Sequence, residues 1–281
     1  MAVMMKWRRV VLKVLLYLAM VSLAILFLGP FVWLLSTSLK PRGANIFVYP
    51  PELVPNPATL NGYLFTLSPR QFAFLRYTAN TSLVTLIAVV SNLILSSLAA
   101  YPLARMNFVG KNAIFYSILS TMIIPFHSIM VALFIVCLKL GINDSYAGAI
   151  LPFSVNAFGI FLMRQNFGGV PVELADAARV DGCSHWGIFT RIMLPLAKPA
   201  LGALALFTFV ARWNSFLWPV IILRDERKWM LQQGIASLSG PFGTDWPTMS
   251  SAMVLSMLPI LALFLFLQRF FLEQYAGALK G

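Results

Sequence analysis

Long apolar runs alternate with short polar segments along this chain. Six runs approach the length of a bilayer crossing: residues 12–35, 78–103, 113–138, 146–163, 199–223 and 249–271. A spanning helix needs about 20 apolar residues, so the pattern predicts an all-α integral membrane protein with six transmembrane helices, one membrane domain over residues 1–281. The first run exceeds the ~7–15 apolar residues of a secretory signal and reads as an uncleaved helix. Pro125 falls inside the third run and predicts a kink.

The polar segments differ in kind. Ser36 to about Arg76 contains Pro41, Pro50, Pro51, Pro55, Pro57 and Pro69. It reads as a mostly irregular loop, either a tether or part of a docking surface, with a short surface helix at Phe72–Tyr77. Gly141-Ile142-Asn143-Asp144 reads as a tight turn. Arg224–Thr248 reads as a polar loop carrying the mixed-charge run Arg224-Asp225-Glu226-Arg227-Lys228. Gln232-Gln233-Gly234 lies in it as solvated chain or as a reach toward a partner.

Glu173–Pro195 is the most distinctive island. It holds Glu173, Asp176 and Asp181 with Arg179 and Arg191 among them. Pro171, the acids in the first turns, and Ala177 and Ala178 favour a short helix. Gly182 is placed to stop it. Ser184 can cap a second helix, expected to end near Met193 because Pro195 follows. Residues 171–195 therefore form a knob of two short helices joined at a glycine.

Composition sharpens this picture. The chain is 59% hydrophobic and 11% charged, with a mean hydropathy of +0.82, which suits a polytopic membrane protein. Its net charge of +12 does not point to nucleic acid, because the cations sit in short segments between apolar runs. Twelve cations, Lys6, Arg8, Arg9, Lys13, Arg105, Lys111, Arg164, Arg179, Arg191, Lys198, Arg269 and Lys280, fall on one side of a six-span topology and eight on the other. The positive-inside bias puts both termini and the knob in the cytoplasm. Cys137 and Cys183 lie in unlike surroundings and predict no disulfide; His127 and His185 have no ligand-spaced partners, so no metal is expected. No G-x-x-x-x-G-K-[ST] loop is present, so any ATP is hydrolysed by another chain, and no cofactor is expected.

Polar residues inside the runs are the remaining candidates: Asn92, His127, Asn156, Arg212 and Asn214. Intramembrane polar groups face a bundle interior or a water-filled cavity, or bond between helices; for Asn92 and His127 the helix-bonding reading is preferred. Arg212 has no acid in its own run. Trp213 and Trp218 flank the region around Asn214, offering aromatic faces to a sugar ring or forming an interfacial belt, which suits Trp218 better. Arg212, Trp213, Asn214 and Asn156 are the candidate solute path. If Arg212 meets the solute, an acidic sugar or a polyol phosphate such as glycerol 3-phosphate is favoured over a neutral sugar.

The knob also resembles a known family. Asp176-Ala177-Ala178, three residues, Gly182, nine residues, Ile192-x-Leu194-Pro195 is similar to the EAA–G–IxLP cytoplasmic loop of ATP-binding-cassette importer permeases, with Asp176 in place of the usual Glu. Trp213-Asn214-Ser215-Phe216-Leu217-Trp218-Pro219, Phe161–Gln165, and Gln268-Arg269 with Ala276–Gly281 resemble the carbohydrate subfamily of maltose and glycerol-phosphate type, specifically its smaller permease. The glycine usual before that ending is absent at Glu273-Gln274-Tyr275. The resemblance implies that Glu173, Asp176, Ala177, Ala178, Arg179, Asp181 and Gly182 couple the chain to an ATPase, Val172, Leu174 and Ala178 forming an apolar wedge. It implies as partners a second homologous permease, an ATPase dimer, an extracytoplasmic solute-binding protein and membrane lipid. Two rivals stand beside it, an ion-coupled secondary transporter and a membrane anchor. Ion coupling calls for acids within the spans, and none of the nine Asp and Glu residues lies in the six runs.

Overall fold

The computed structural model describes residues 2–240 and 243–278, with side chains described over 11–240, 243–266 and at 268. Lys6, Arg8, Arg9, Arg269, Lys280 and the residues of the C-terminal ending other than Gln268 therefore carry charge or motif expectations that lie outside the described residues or side chains. The chain is helical: α1 (Ala2–Ser38), α2 (Asn61–Leu67), α3 (Phe74–Arg105), α4 (Lys111–Ser120), α5 (Phe126–Lys139), α6 (Tyr146–Ile150), α7 (Ala157–Gly169), α8 (Val172–Val180), α9 (His185–Ile188), α10 (Leu194–Leu196), α11 (Lys198–Trp213), α12 (Leu217–Ile222), α13 (Leu231–Ala236) and α14 (Trp246–Ala278). A two-residue antiparallel pair, β1 (Ser239–Gly240) with β2 (Gly243–Thr244), precedes α14.

Val11–Ser38, Phe74–Arg105 and Trp246–Phe266 are each long and apolar enough to cross a membrane. Three bent helix pairs raise the number of candidate spans to six. The third span is the largest departure from expectation. Lys111–Ile123 and Phe126–Lys139 meet at 103°, a sharp break rather than a kink. Pro125 offers no N–H and biases Ile124 toward extended backbone (ψ 116°). The fourth span bends by 43° before Ala157 and runs on to Gly169, past the expected end at Met163. The fifth stops at Trp213 and resumes as α12.

Residues 1–74 with 235–257 form one compact unit. Its loop after α1 is held by Arg42, whose Nε lies 3.1 Å from Asp245 Oδ2, while the Gly43 N–H donates to Asp245 Oδ1. The expected helix at Phe72–Tyr77 is instead the first turn of α3; the loop's helix is α2. There Gly62 faces Ser251 and the Pro247 carbonyl, and Thr66 Oγ1 bonds Ser251 Oγ at 3.1 Å.

Residues 75–234 with 258–281 form the other unit. Both ends of α3 are pinned within it. At the knob end, Arg164 Nε donates to the Leu103 carbonyl (3.1 Å) and Lys111 Nζ to that of Met106 (2.8 Å), so two cations meet the negative end of the helix. The other end meets the segment after α12. Tyr77 donates to Glu226 Oε1 (2.7 Å), Asn80 Nδ2 to the Arg227 and Trp229 carbonyls (2.9 Å each), and the Leu231 N–H to Thr81 Oγ1 (2.7 Å). Lys228 Nζ bonds Asp144 Oδ2 at 2.9 Å. Gln233 is buried, accepting from the Met230 N–H and donating to the Pro219 carbonyl. The mixed-charge run, expected in a polar loop, and Gln233, expected either as solvated chain or as a reach toward a partner, are thus largely spent on internal bonds.

Two outcomes test this end of the unit. A Cβ at Gly234 would lie 2.2 Å from Tyr77 Cδ2, so Gly234→Ala must displace that ring; overpacking of this kind costs about 1–3 kcal/mol, read as a lowered thermal midpoint in detergent. Asp144 is held below the usual carboxylate range by its bond from Lys228, helped by the Asp225 and Arg224 N–H groups. A depressed acid stabilises fully above its unfolded value, ~3.9, and that contribution fades as pH falls through the lower folded value. Hydrogen exchange should therefore find the Arg224 and Asp225 amides protected at pH 5 and freed only well below pH ~3.9; release already at pH 5 would contradict the pairing.

Candidate functional site

The knob forms as its residues dictate. α8 ends at Val180, Gly182 takes φ +80°, and Ser184 Oγ accepts the Gly187 N–H at 3.2 Å to start the next helix. That left-handed backbone is costly for any residue with a Cβ. The second helix does not end before Pro195. It continues through a π turn over Phe189–Met193 into α10 and stops at Leu196, then meets α11 at 74°. The π turn opens the hydrogen-bond ladder just ahead of the residue that cannot donate to it.

α8 presents two faces. Ala175 and Ala178 are buried, packed with Tyr101, Phe167, Ile188 and Phe189. Small residues three apart allow this close seating. Ala178 thus points into the protein's own core, not outward as a wedge, and Val172, Leu174 and Val180 are the exposed apolar residues. Glu173, Ala177, Asp181 and Gly182 are also exposed. Asp176 and Arg179, both expected to reach for a partner, pair with each other at 2.7 Å; at this exposure the pair contributes little, ~0–1 kcal/mol. With Arg105, Asn107 and His185 they line a polar cavity of about 640 Å³. Arg105 also donates to the Val170 carbonyl, tying the end of α3 to the approach of α8.

The candidate solute path has a different character. Asn156 and Arg212 come together in a cavity of about 390 Å³ with Phe153, Phe158, Phe207 and Thr208. Two helix breaks position them. Asn156 caps α7, its Oδ1 accepting the Gly159 N–H at 2.6 Å, and Arg212 lies in the last turn of α11. α7 can approach α3 here because residue 159 has no side chain: a Cβ would sit 2.5 Å from Ser96 Oγ and 2.7 Å from Asn92 Oδ1. Asn92 is fully buried and accepts from Ser96 Oγ.

The other expected residues lie outside this lining. Trp213 is 2% exposed and stacks on Phe209, with centroids 5.4 Å apart. Asn214 donates to the Val210 carbonyl at the end of α11. Trp218 is buried, not interfacial: its Nε1 donates to the Gly148 carbonyl and its ring meets Phe126 and Phe153 edge-on. His127 is exposed beside Phe126.

Sequence reasoning missed Phe153. The Arg212 guanidinium carbon lies 4.0 Å from that ring's centroid. A cation–π contact contributes about 0.5–2 kcal/mol and supplies no counter-charge, and among the described residues no carboxylate lines the cavity. Pro152, shortly ahead of Asn156, was the available signal. A proline followed by a capping residue marks a helix break, and the aromatic residue between them is carried to its edge.

The chain thus combines helices long and apolar enough to cross a membrane, bent helix pairs, a cavity holding Arg212 and Asn156, and a packed knob. Residues 92–274 match the family of the binding-protein-dependent transport system inner membrane component. The chain is 37% identical to the arabinooligosaccharides transport system permease protein AraQ of Bacillus subtilis (strain 168), over 96% of each chain. It is 36% identical to the sn-glycerol-3-phosphate transport system permease protein UgpE of Pectobacterium atrosepticum, over 69% of this chain and 70% of that one. Its fold matches a chain of a bacterial ABC transporter involved in the import of the acidic polysaccharide alginate, with a TM-score of 0.82 and 26% identity, covering 93% of this chain and 96% of the other. The chain belongs to this family of multi-pass inner-membrane permeases of ABC importers.

The cap at Asn156 gives a direct check. Asn156→Ala should cost about 0.5–2 kcal/mol and Asn156→Ser much less, compared by thermal unfolding in detergent; equal losses would remove the cap from its assigned role.

Proposed function

We propose that this chain is the translocation subunit of an ATP-driven importer for saccharides or sugar-derived solutes. The Arg212–Asn156 cavity forms part of the solute path, and the knob is the handle that a partner ATPase moves. The carrying observation is that Ala175 and Ala178 are buried in one cluster with Tyr101, Phe167 and Phe189, whose rings meet one another. Those rings belong to α3, to α7 and to the helix after Gly182, so a push on α8 is passed to two spans through close-packed side chains. The exposed Glu173, Val172, Leu174 and Asp181 are the groups offered to the ATPase groove, with rim charges setting specificity.

The partners are a second homologous permease, two ATP-hydrolysing subunits and an extracytoplasmic solute-binding protein, in a bilayer with both termini on the cytoplasmic side. The names of the relatives support a saccharide solute. Transport proceeds by alternating access, the spans swinging about the cavity as the ATPases close and open. The lack of Asp and Glu in the expected spans weighs against ion coupling.

Gly182→Pro and Glu173→Lys should uncouple the machine. In vesicles holding the assembled importer, solute uptake should fall roughly 5–150-fold, the range for losing 1–3 kcal/mol of coupling, while the subunits still co-purify and ATP is still hydrolysed. Normal uptake by both variants at normal expression would refute the handle.

A further inference from the structure

We propose that the solute passing the Arg212 cavity is an anionic saccharide whose carboxylate pairs with Arg212; this rests on the cavity being part of the solute path. Three features converge. The first is an uncompensated cation. Arg212 shares its cavity of about 390 Å³ with Asn156, Thr208 and aromatic rings, and with no acid among the described residues. The volume lies in the ~300–1,000 Å³ range of small-molecule pockets.

The second is the way that cation is already engaged. Phe153 meets the guanidinium through its charge, a contact that consumes no N–H donor. The donor fork remains for a carboxylate, whose two oxygens match it in geometry. The third is the rest of the lining. Asn156 uses its Oδ1 on the Gly159 N–H, which leaves its amide N–H donors for hydroxyl or ring oxygens. Phe158 and Phe207, edge-to-face with centroids 5.6 Å apart, give the apolar C–H face of a sugar ring a surface to lie on.

Selectivity follows from charge. A neutral sugar would displace the water around Arg212 and supply no counter-charge, an unfavourable exchange that counts against it. A phosphate ester carries about −1.5 to −2 at pH 7, more than one arginine balances. A uronate, with a single negative charge, matches the one cation in the lining.

The test uses vesicles containing the importer assembled with its own second permease, ATPases and binding protein. Uptake is compared for digalacturonate, its neutral counterpart galactobiose, and glycerol 3-phosphate. Digalacturonate should be preferred. Arg212→Gln should lower the digalacturonate-to-galactobiose uptake ratio by roughly ten- to a hundredfold, as when one partner of a desolvated charge pair is removed. Arg212→Lys should keep part of the preference, retaining charge without the fork. The ratio separates solute contact from folding, because a damaged protein loses both uptakes together. Equal loss of both solutes in Arg212→Gln, an unmoved ratio, or preference for glycerol 3-phosphate would overturn the proposal. Import of galactobiose alone, or of none of the three, would overturn it while leaving the saccharide importer standing; that reading falls only if no saccharide stimulates ATP hydrolysis by the assembled importer.

Discussion

Backbone groups inside a bilayer must find their partners within the protein, because the hydrocarbon offers none. At two helix breaks of this chain a side chain is placed to receive the freed donors and acceptors. At the break before Ala157 the Asn156 side chain takes the Gly159 N–H. At the end of α11 the Asn214 N–H and side chain both return to the Val210 carbonyl. The cavity occurs where these two breaks meet, since irregular backbone at membrane depth survives only beside protein or a polar space. The cavity and the helix breaks are two aspects of one constraint.

The same economy governs the cations. Arg164 and Lys111 look from composition like a positive-inside signal, yet in the fold they cap the carbonyl end of α3, and Arg164 also lies over the Phe115 ring at 3.8 Å. Arg105 reaches the approach to α8. A charge that sets topology can thus also act as a structural bond. Arg212 stands apart because its neighbour is a ring and no acid among the described residues lines its cavity.

Much of this was legible in the sequence. The helical class, the runs, the glycine-joined knob and the Ser184 cap follow from periodicity, proline and glycine placement and capping chemistry, which act over a few residues. What escaped were relations across the chain. Trp218 reads as interfacial until Gly148 and Phe126 are brought beside it. Gln233 reads as solvated chain or as a reach toward a partner until α12 and its following residue supply carbonyls. Pro125 promises a kink, but the 103° turn depends on how both halves pack. Ala178 could face a partner or its own core, and only the position of Tyr101, Phe167 and Phe189 decides between them.

The first helix, α1, stands on other terms than the rest. None of the most apolar stretch of Val11–Ser38 is covered by the remainder of the chain, and its mean hydropathy is 2.6. That stretch is left to lipid or to a partner subunit, while at its end Ser36 Oγ donates to the Leu53 carbonyl and Ser38 Oγ bonds the Tyr63 hydroxyl. Such a segment can enter the membrane during synthesis before any later helix exists to receive it, and in water its bare surface has nothing to rest against.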